Sequence, residues 1–325
     1  MCKLFSASFK ESYQKMLPRR MINLANKIKN KLIRISRKIK ILKIRNKMVE
    51  LSVELKKETS NEKKYRIELL NSVKNIDNQT VGCASLWDNY RQRVRLCVLK
   101  KDPRNFLRWA PIIETMSAGA RKCEFDYLVN NNWDKWSSAV KETWVGNPMK
   151  YKYYQKSSGN FIHTAYNLSR LIDHYKLDIK QSDKITEFGG GYGCMAKLVN
   201  NLGFRGKYVV FDIPEFLALQ KYYLRSSNTD GNFYFINQTE RLDDSGPDIF
   251  IATWSLSESP LELRDEFLKK IGKPKYVLVA YQANFEAIDN MKYFQEYTKN
   301  NQDYDWVNYE ISHLPQNYYL VGKKN

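Results

Sequence analysis

A chain of 325 residues, 43% hydrophobic and 14% aromatic, carries enough apolar material for a large core with appendages. Its five cysteines are odd in number and lack C-x-x-C spacing, which argues against a disulfide framework or zinc site, and no run of ~18 apolar residues exists to span a membrane. The net charge of +19 is uneven: residues 1–57 hold 17 Lys and Arg against three Glu, so +14 belongs to an N-terminal arm and the body is close to neutral.

The arm comes first. Met21, Ala25, Ile28, Leu32, Ile35, Ile39, Leu42, Val49 and Val53 follow a heptad seam, with Asn46 at a seam position. A basic amphipathic helix over 1–64 is expected, with residues 20–55 contacting a membrane surface or a second copy. Nucleic acid is the weaker partner reading, because no recognisable RNA module accompanies the charge. No apolar signal-peptide segment opens the chain, so a cytoplasmic location is expected, peripheral at a membrane surface if the arm docks there.

Residues 65–180 form a second region, read as a helical lead-in on the substrate side. Trp87, Trp109, Trp133, Trp136 and Trp144 concentrate here and are expected as core anchors. The segment Gly159–Tyr175 has one apolar face (Phe161, Ile162, Ala165, Leu168, Leu171, Ile172, Tyr175) and a polar face (His163, Asn167, Arg170, His174) expected to be solvated. His163 lies near that helix's start, ahead of a glycine loop, which makes it a candidate catalytic residue.

From residue 181 to 325 short apolar runs alternate with amphipathic segments. The runs "KITEFG", "KYVVFD", "NFYFIN", "DIFIATW" and "KYVLVAY" read as strands. Helices are expected at Cys194–Asn201, Pro214–Arg225 and Pro260–Ile271, the last with Ser259 and Glu262 as a capping box. "WVNYEIS" and "NYYLVGKK" read as an antiparallel hairpin. The fold class is therefore α/β: a Rossmann-like, doubly wound, mostly parallel sheet with a C-terminal antiparallel hairpin, preceded by a helical region and a basic helix.

The loop Glu187-Phe-Gly189-Gly-Gly191-Tyr-Gly193 fits neither G-x-G-x-x-G, since Cys194 takes the last glycine's place, nor a P-loop, which needs Gly-Lys-Ser/Thr. Asp212 ends the next strand, where an acid can accept hydrogen bonds from two ribose hydroxyls; it could also cap the following helix. Strand–helix order and E-x-G-x-G-x-G together resemble the class I S-adenosylmethionine-dependent methyltransferases. That likeness implies S-adenosyl-L-methionine as cofactor, held by Glu187, Gly189, Gly191, Gly193, Asp212, Gln238 and Ser255.

A narrower resemblance follows from "EFGGGYG", "YVVFDIPEFLALQKYYL", "IFIATWSLSESP", "LVAYQANF" and "DPRNFLRWAPIIETM". Over roughly residues 86–322 the chain is similar to a family of sugar O-methyltransferases, which implies methyl transfer to a hydroxyl of a sugar or glycan precursor. It departs from that family at Ala252–Trp254 and at Cys194; neither change removes a required group. "TWSLSES" after the fourth strand also lacks the N/D-P-P-Y/F motif of amino methylation. Candidate general bases are Glu258, His163 and His313, with Ser255 and Ser257 available to orient an acceptor. No residue cluster has metal-ligand spacing, so no metal is expected. An RNA methyltransferase and a non-catalytic cofactor-binding protein are the competing functions.

Overall fold

The structure, a computed structural model, describes residues 58–76, 85–117 and 119–325. The basic seam of residues 20–55, with the expected membrane or self-association contact, lies outside the described residues. Residues 57–325 form one compact unit.

Five helices open this unit: α1 (Ser60–Lys74), α2 (Ser85–Lys100), α3 (Ala110–Met116), α4 (Lys122–Asn130) and α5 (Trp133–Ala139). Helix α1 runs across the expected border at residue 64 and packs on a helix of the body, so the lead-in and body share a core. Thr59 caps it with a full capping box to Glu62. A small hairpin, β1 (Lys150–Tyr151) with β2 (Tyr154–Ser158), precedes α6 (Gly159–Tyr175), which has the span expected from the sequence.

The body then runs β3 (Lys184–Phe188), α7 (Cys194–Asn201), β4 (Lys207–Phe211), α8 (Pro214–Ser226), β5 (Asn232–Ile236), β6 (Ile249–Thr253), α9 (Leu261–Lys270), β7 (Tyr276–Gln282), a minor pair β8 (Asn284–Phe285) and β9 (Ile288–Asp289), α10 (Asn290–Asn300), β10 (Tyr304–Glu310) and β11 (Asn317–Lys324). One seven-stranded sheet has the order β5-β4-β3-β6-β7-β11-β10. Pairs β3–β4, β4–β5, β3–β6 and β6–β7 are parallel, whereas β11 is antiparallel to both β7 and β10. This is the doubly wound sheet with a terminal hairpin that the sequence predicts, and the hairpin's second strand is the inner one.

Both faces of the sheet are covered, which explains the unbroken apolar runs. Along β6, Ile249 and Ile251 join the core under α6, α7 and α8, while Phe250 and Ala252 join a second core with Phe267 of α9 and Phe294 of α10. Strand β7 divides in the same way, with Leu278 and Ala280 on one side and Val277, Val279 and Tyr281 on the other.

Three local expectations are corrected. Helix α10 is not among the predicted elements, although Asp289 caps it by accepting from the Lys292 amide and Met291, Phe294 and Tyr297 give it a helical stripe. The capping box at Ser259 does not form: helix α9 starts after Pro260 without a side-chain cap, and the Ser259 hydroxyl donates to the Ser255 carbonyl instead. The polar face of α6 is buried at His163 and Asn167 and partly covered at Arg170, and only His174 is exposed. Asn167 accepts from the Tyr319 hydroxyl, and Arg170 lies over the rings of Tyr127, Tyr166 and Tyr309.

Candidate active site

In a sheet of this order the chain reverses between β3 and β6, and their following loops part to leave a crevice at the carboxyl edge. A cavity of about 1360 Å³ opens there. Its walls come from the ends of β3, β4, β5 and β6 and from the lead-in residues Trp87, Met116 and His163. Of the sequence-predicted residues, Glu187, Gly189, Gly191, Asp212, Gln238, Ser255, Glu258 and His163 line it. Gly193 lies behind as the N-cap of α7, and His313 is not part of the lining.

The glycine loop takes its shape from three left-handed residues, Gly189 (φ +74°), Gly191 (φ +57°) and Gly193 (φ +97°), a conformation that other residues enter at a cost. A methyl group on Gly189 would lie 2.2 Å from the Ser255 Cβ, and one on Gly190 would lie 2.7 Å from Val210 Cγ1. Gly191 differs: the three atoms nearest a Cβ there all belong to Met116, the closest its sulfur at 3.4 Å, which is ordinary contact. Gly189 and Gly190 thus let the loop press on the protein, while Gly191 lines the cavity beside Met116.

Asp212 sits beside that loop. Its carboxylate accepts from the Ile213 amide at 2.7 Å and from Gln220 Nε2 at 2.7 Å, and Gln220 Nε2 also donates to the Gly191 carbonyl at 3.0 Å. Gln220 therefore ties the acid to the loop. Helix α8 has Ile213, not Asp212, at its N-cap position and no side-chain cap, so the capping role does not apply. Gln220 Oε1 is buried without a hydrogen-bond partner.

Burial pushes the Asp212 carboxyl up to about 7, against the hydrogen bonds it accepts. Burial likewise pushes Glu187 up to about 8, although the Tyr208 hydroxyl donates to it at 2.8 Å. Glu258 is also raised by burial, to about 7, despite hydrogen bonds from Gln282 and Trp87. Three carboxyls around one cavity are thus held proton-rich in the folded chain. A carboxyl whose folded value lies above its unfolded one binds more protons when folded, so its contribution to stability is present at low pH and is lost as pH rises through the folded value. The ligand-free protein is accordingly expected to melt at a higher temperature at pH 5 than at pH 8, followed by the fluorescence of its seven tryptophans. A midpoint that rises over this range would contradict that balance.

The serines are committed to the protein. Ser255 donates to the Phe188 carbonyl, locking the β6 loop onto the end of β3. Ser257 is fully buried, donating to the Trp254 carbonyl at 2.7 Å and lying 3.0 Å from Gln282 Oε1; it is not a free acceptor-orienting group. Arg264, also fully buried, donates to the carbonyls of Ser257 and Ser259 on either side of Glu258 and to Asn290 Oδ1. Trp254 holds φ +66° and donates from Nε1 to Asn317 at 2.7 Å, while its indole stacks on His163 with ring centroids 5.4 Å apart.

Sequence reasoning misses Glu124. It is 1% exposed and accepts from His163 Nδ1 at 3.0 Å and from His313 Nε2 at 2.6 Å. His313 is therefore not a solvated turn residue. Nothing in the sequence pairs positions so far apart. Gln220, by contrast, has a signal: it lies eight residues after Asp212 and faces back from the second turn of α8. Trp109 and Trp136 are buried core as expected, Trp87 lines the cavity, and Trp144 is exposed.

No protein-family model matches the chain, and no curated protein matches it in sequence. Among solved structures it is similar to a SAM-dependent methyltransferase from Aquifex aeolicus, at 14% identity over 48% of this chain and 93% of that one, with a TM-score of 0.37. It is similar to a precorrin-6y C5,15-methyltransferase from Geobacter metallireducens, at 14% identity over 50% and 88% of the two chains, with a TM-score of 0.35. For the magnesium protoporphyrin IX methyltransferase of Synechocystis the values are 12% identity, 62% and 97% coverage and a TM-score of 0.40.

Proposed function

We propose that the chain is an S-adenosylmethionine-dependent O-methyltransferase acting on a hydroxyl of a sugar or glycan precursor. The observation that carries the cofactor reading is the juxtaposition of the glycine backbone at Gly191 with Asp212, both lining one cavity and joined through Gln220. Glycine backbone suits close approach of the methionyl and ribose portions, and Asp212 suits two ribose hydroxyls. Glu187 lies at the end of β3 in position to meet an ammonium group, and the exposed Gln238 with Asn237 borders the adenine side. Bound S-adenosylmethionine supplies an electrophilic methyl carbon on a sulfonium. The protein's task is then to position an acceptor oxygen in line and to receive its proton.

Support for a sugar acceptor comes from the sequence resemblance and from the indoles of Trp87 and Trp254 in the cavity wall, which suit the apolar faces of a pyranose. The test is transfer of labelled methyl from S-adenosylmethionine to a panel of nucleotide sugars, glycans and total RNA. Label is expected in the sugar fraction. Label in RNA that disappears when residues 1–57 are deleted would replace the sugar acceptor with nucleic acid. A chain that fails to bind S-adenosylmethionine would remove the enzyme reading altogether.

A further inference from the structure

Three segments distant in sequence meet at Glu124. Helix α4 supplies the carboxylate, helix α6 supplies His163, and the turn between β10 and β11 supplies His313. Glu124 Oε1 takes both imidazoles, at 3.0 Å from His163 Nδ1 and 2.6 Å from His313 Nε2, while Oε2 accepts the Arg121 amide at 3.1 Å. The carboxylate is almost fully buried, and His163 Nδ1 is also 3.1 Å from its Oε2. One edge of the His163 ring faces it, and one face of the ring is covered by Trp254. His163 nonetheless lines the cavity, and the ring atom opposite its bonded edge is Nε2.

We propose that Glu124, His163 and His313 form a His–Glu–His relay in which Glu124 holds His163 with Nδ1–H toward the carboxylate, leaving Nε2 as the base that takes the acceptor's proton. The proposal rests on the methyl-transfer reading above. As the acceptor oxygen bonds to the methyl carbon, the carbon–sulfur bond breaks and its electron pair stays on sulfur. The hydroxyl proton passes to His163 Nε2, and the imidazolium is balanced by Glu124. His313 steadies the carboxylate from the far side. Burial opposes the charge on Glu124, but hydrogen bonds from the two histidines hold its carboxyl below the ordinary range, so a counter-charge is in place before any proton arrives. Glu258 also borders the cavity, yet Trp87 and Gln282 already donate to it. His163 is the catalytic residue in this scheme, and Glu124 is a positioning residue acting through it.

The chain contains only three histidines, so imidazole nitrogen NMR of the whole ring-labelled protein resolves the question without an acceptor. His163 is expected as the Nδ1–H form with an unprotonated Nε2 at pH 8, and its Nε2 signal is expected to move when S-adenosylhomocysteine is added, while the exposed His174 stays put. An Nε2–H tautomer, or a His163 doubly protonated up to pH 9, would overturn the relay. In Glu124→Gln the tautomer preference is expected to disappear, and kcat for labelled methyl transfer to the nucleotide-sugar panel to fall ~100–1000-fold with S-adenosylhomocysteine affinity retained. Added imidazole is expected to restore part of the turnover of His163→Gly. Equal loss of turnover and cofactor affinity in Glu124→Gln would make the cluster a structural support and refute the relay. Failure of the wild type to bind S-adenosylhomocysteine would remove the methyl-transfer reading, whereas a wrong tautomer in a chain that binds it removes the relay alone.

Discussion

Asp212→Ala is expected to weaken S-adenosylhomocysteine binding by ~100-fold or more in calorimetry. Two ribose hydroxyls donating to one carboxylate are worth about 1.5–3 kcal/mol each, and ~1.4 kcal/mol is a factor of ten in affinity. The substitution also releases Gln220, whose Nε2 bridges Asp212 and the Gly191 carbonyl and whose Oε1 already lacks a partner. The loop would lose one of the bonds that set its shape. Asp212→Asn separates the two causes, because it keeps the volume and its Oδ1 can still accept from Gln220 Nε2 while the negative charge is lost. An Asn variant as weak as the Ala variant would assign the loss to the carboxylate's charge rather than to loop geometry. Affinity unchanged in Asp212→Ala would show that the cavity does not hold a ribose at this edge.

The sequence discloses the sheet because both of its faces are buried, so strands such as "KYVVF" and "IFIAT" appear as unbroken apolar runs bounded by turns. It discloses the loop because only glycine enters the left-handed region freely, and an acid one strand later follows by chain order. Helix α10 escapes because most of its residues are polar and its buried contribution is essentially Phe294 and Asn290. The covered polar face of α6 escapes for a different reason. Nothing local tells whether His163, Asn167 and Arg170 meet water or another polar surface, and here that surface comes from Glu124, Tyr309 and Tyr319. Glu124 lies 39 residues from one partner and 189 from the other, so only the folded chain brings the three together. Ser257 shows the converse error, where a hydroxyl beside the expected site turns out to serve the β6 loop.

A buried ion pair ties lead-in helix α2 to body helix α8, and breaking it is expected to give a large loss of stability. Arg91 of α2 grips Glu215 of α8 with two hydrogen bonds, Nε to Oε2 at 3.0 Å and Nη2 to Oε1 at 3.1 Å, and both side chains are nearly inaccessible. Removing Glu215 leaves Arg91 charged and buried with only the half-exposed Asp88, 3.6 Å from its Nη1, to balance it, and breaking a buried pair in this way costs about 3–5 kcal/mol. For a unit of this size that is a fall of roughly 6–20 °C in the melting midpoint of Glu215→Ala. The double variant Arg91→Met with Glu215→Leu is expected to recover most of the loss, since desolvating the pair offsets much of its own attraction. Equal destabilisation by the single and double variants would place the cost in packing instead. The pair also has a functional side. Trp87 lies one turn before Arg91 on the same helix and donates to Glu258, so loosening α2 exposes that carboxyl to water. Because Asp212 and Gln220 make no hydrogen bond to α2, Glu215→Ala is expected to weaken S-adenosylhomocysteine binding far less than Asp212→Ala does.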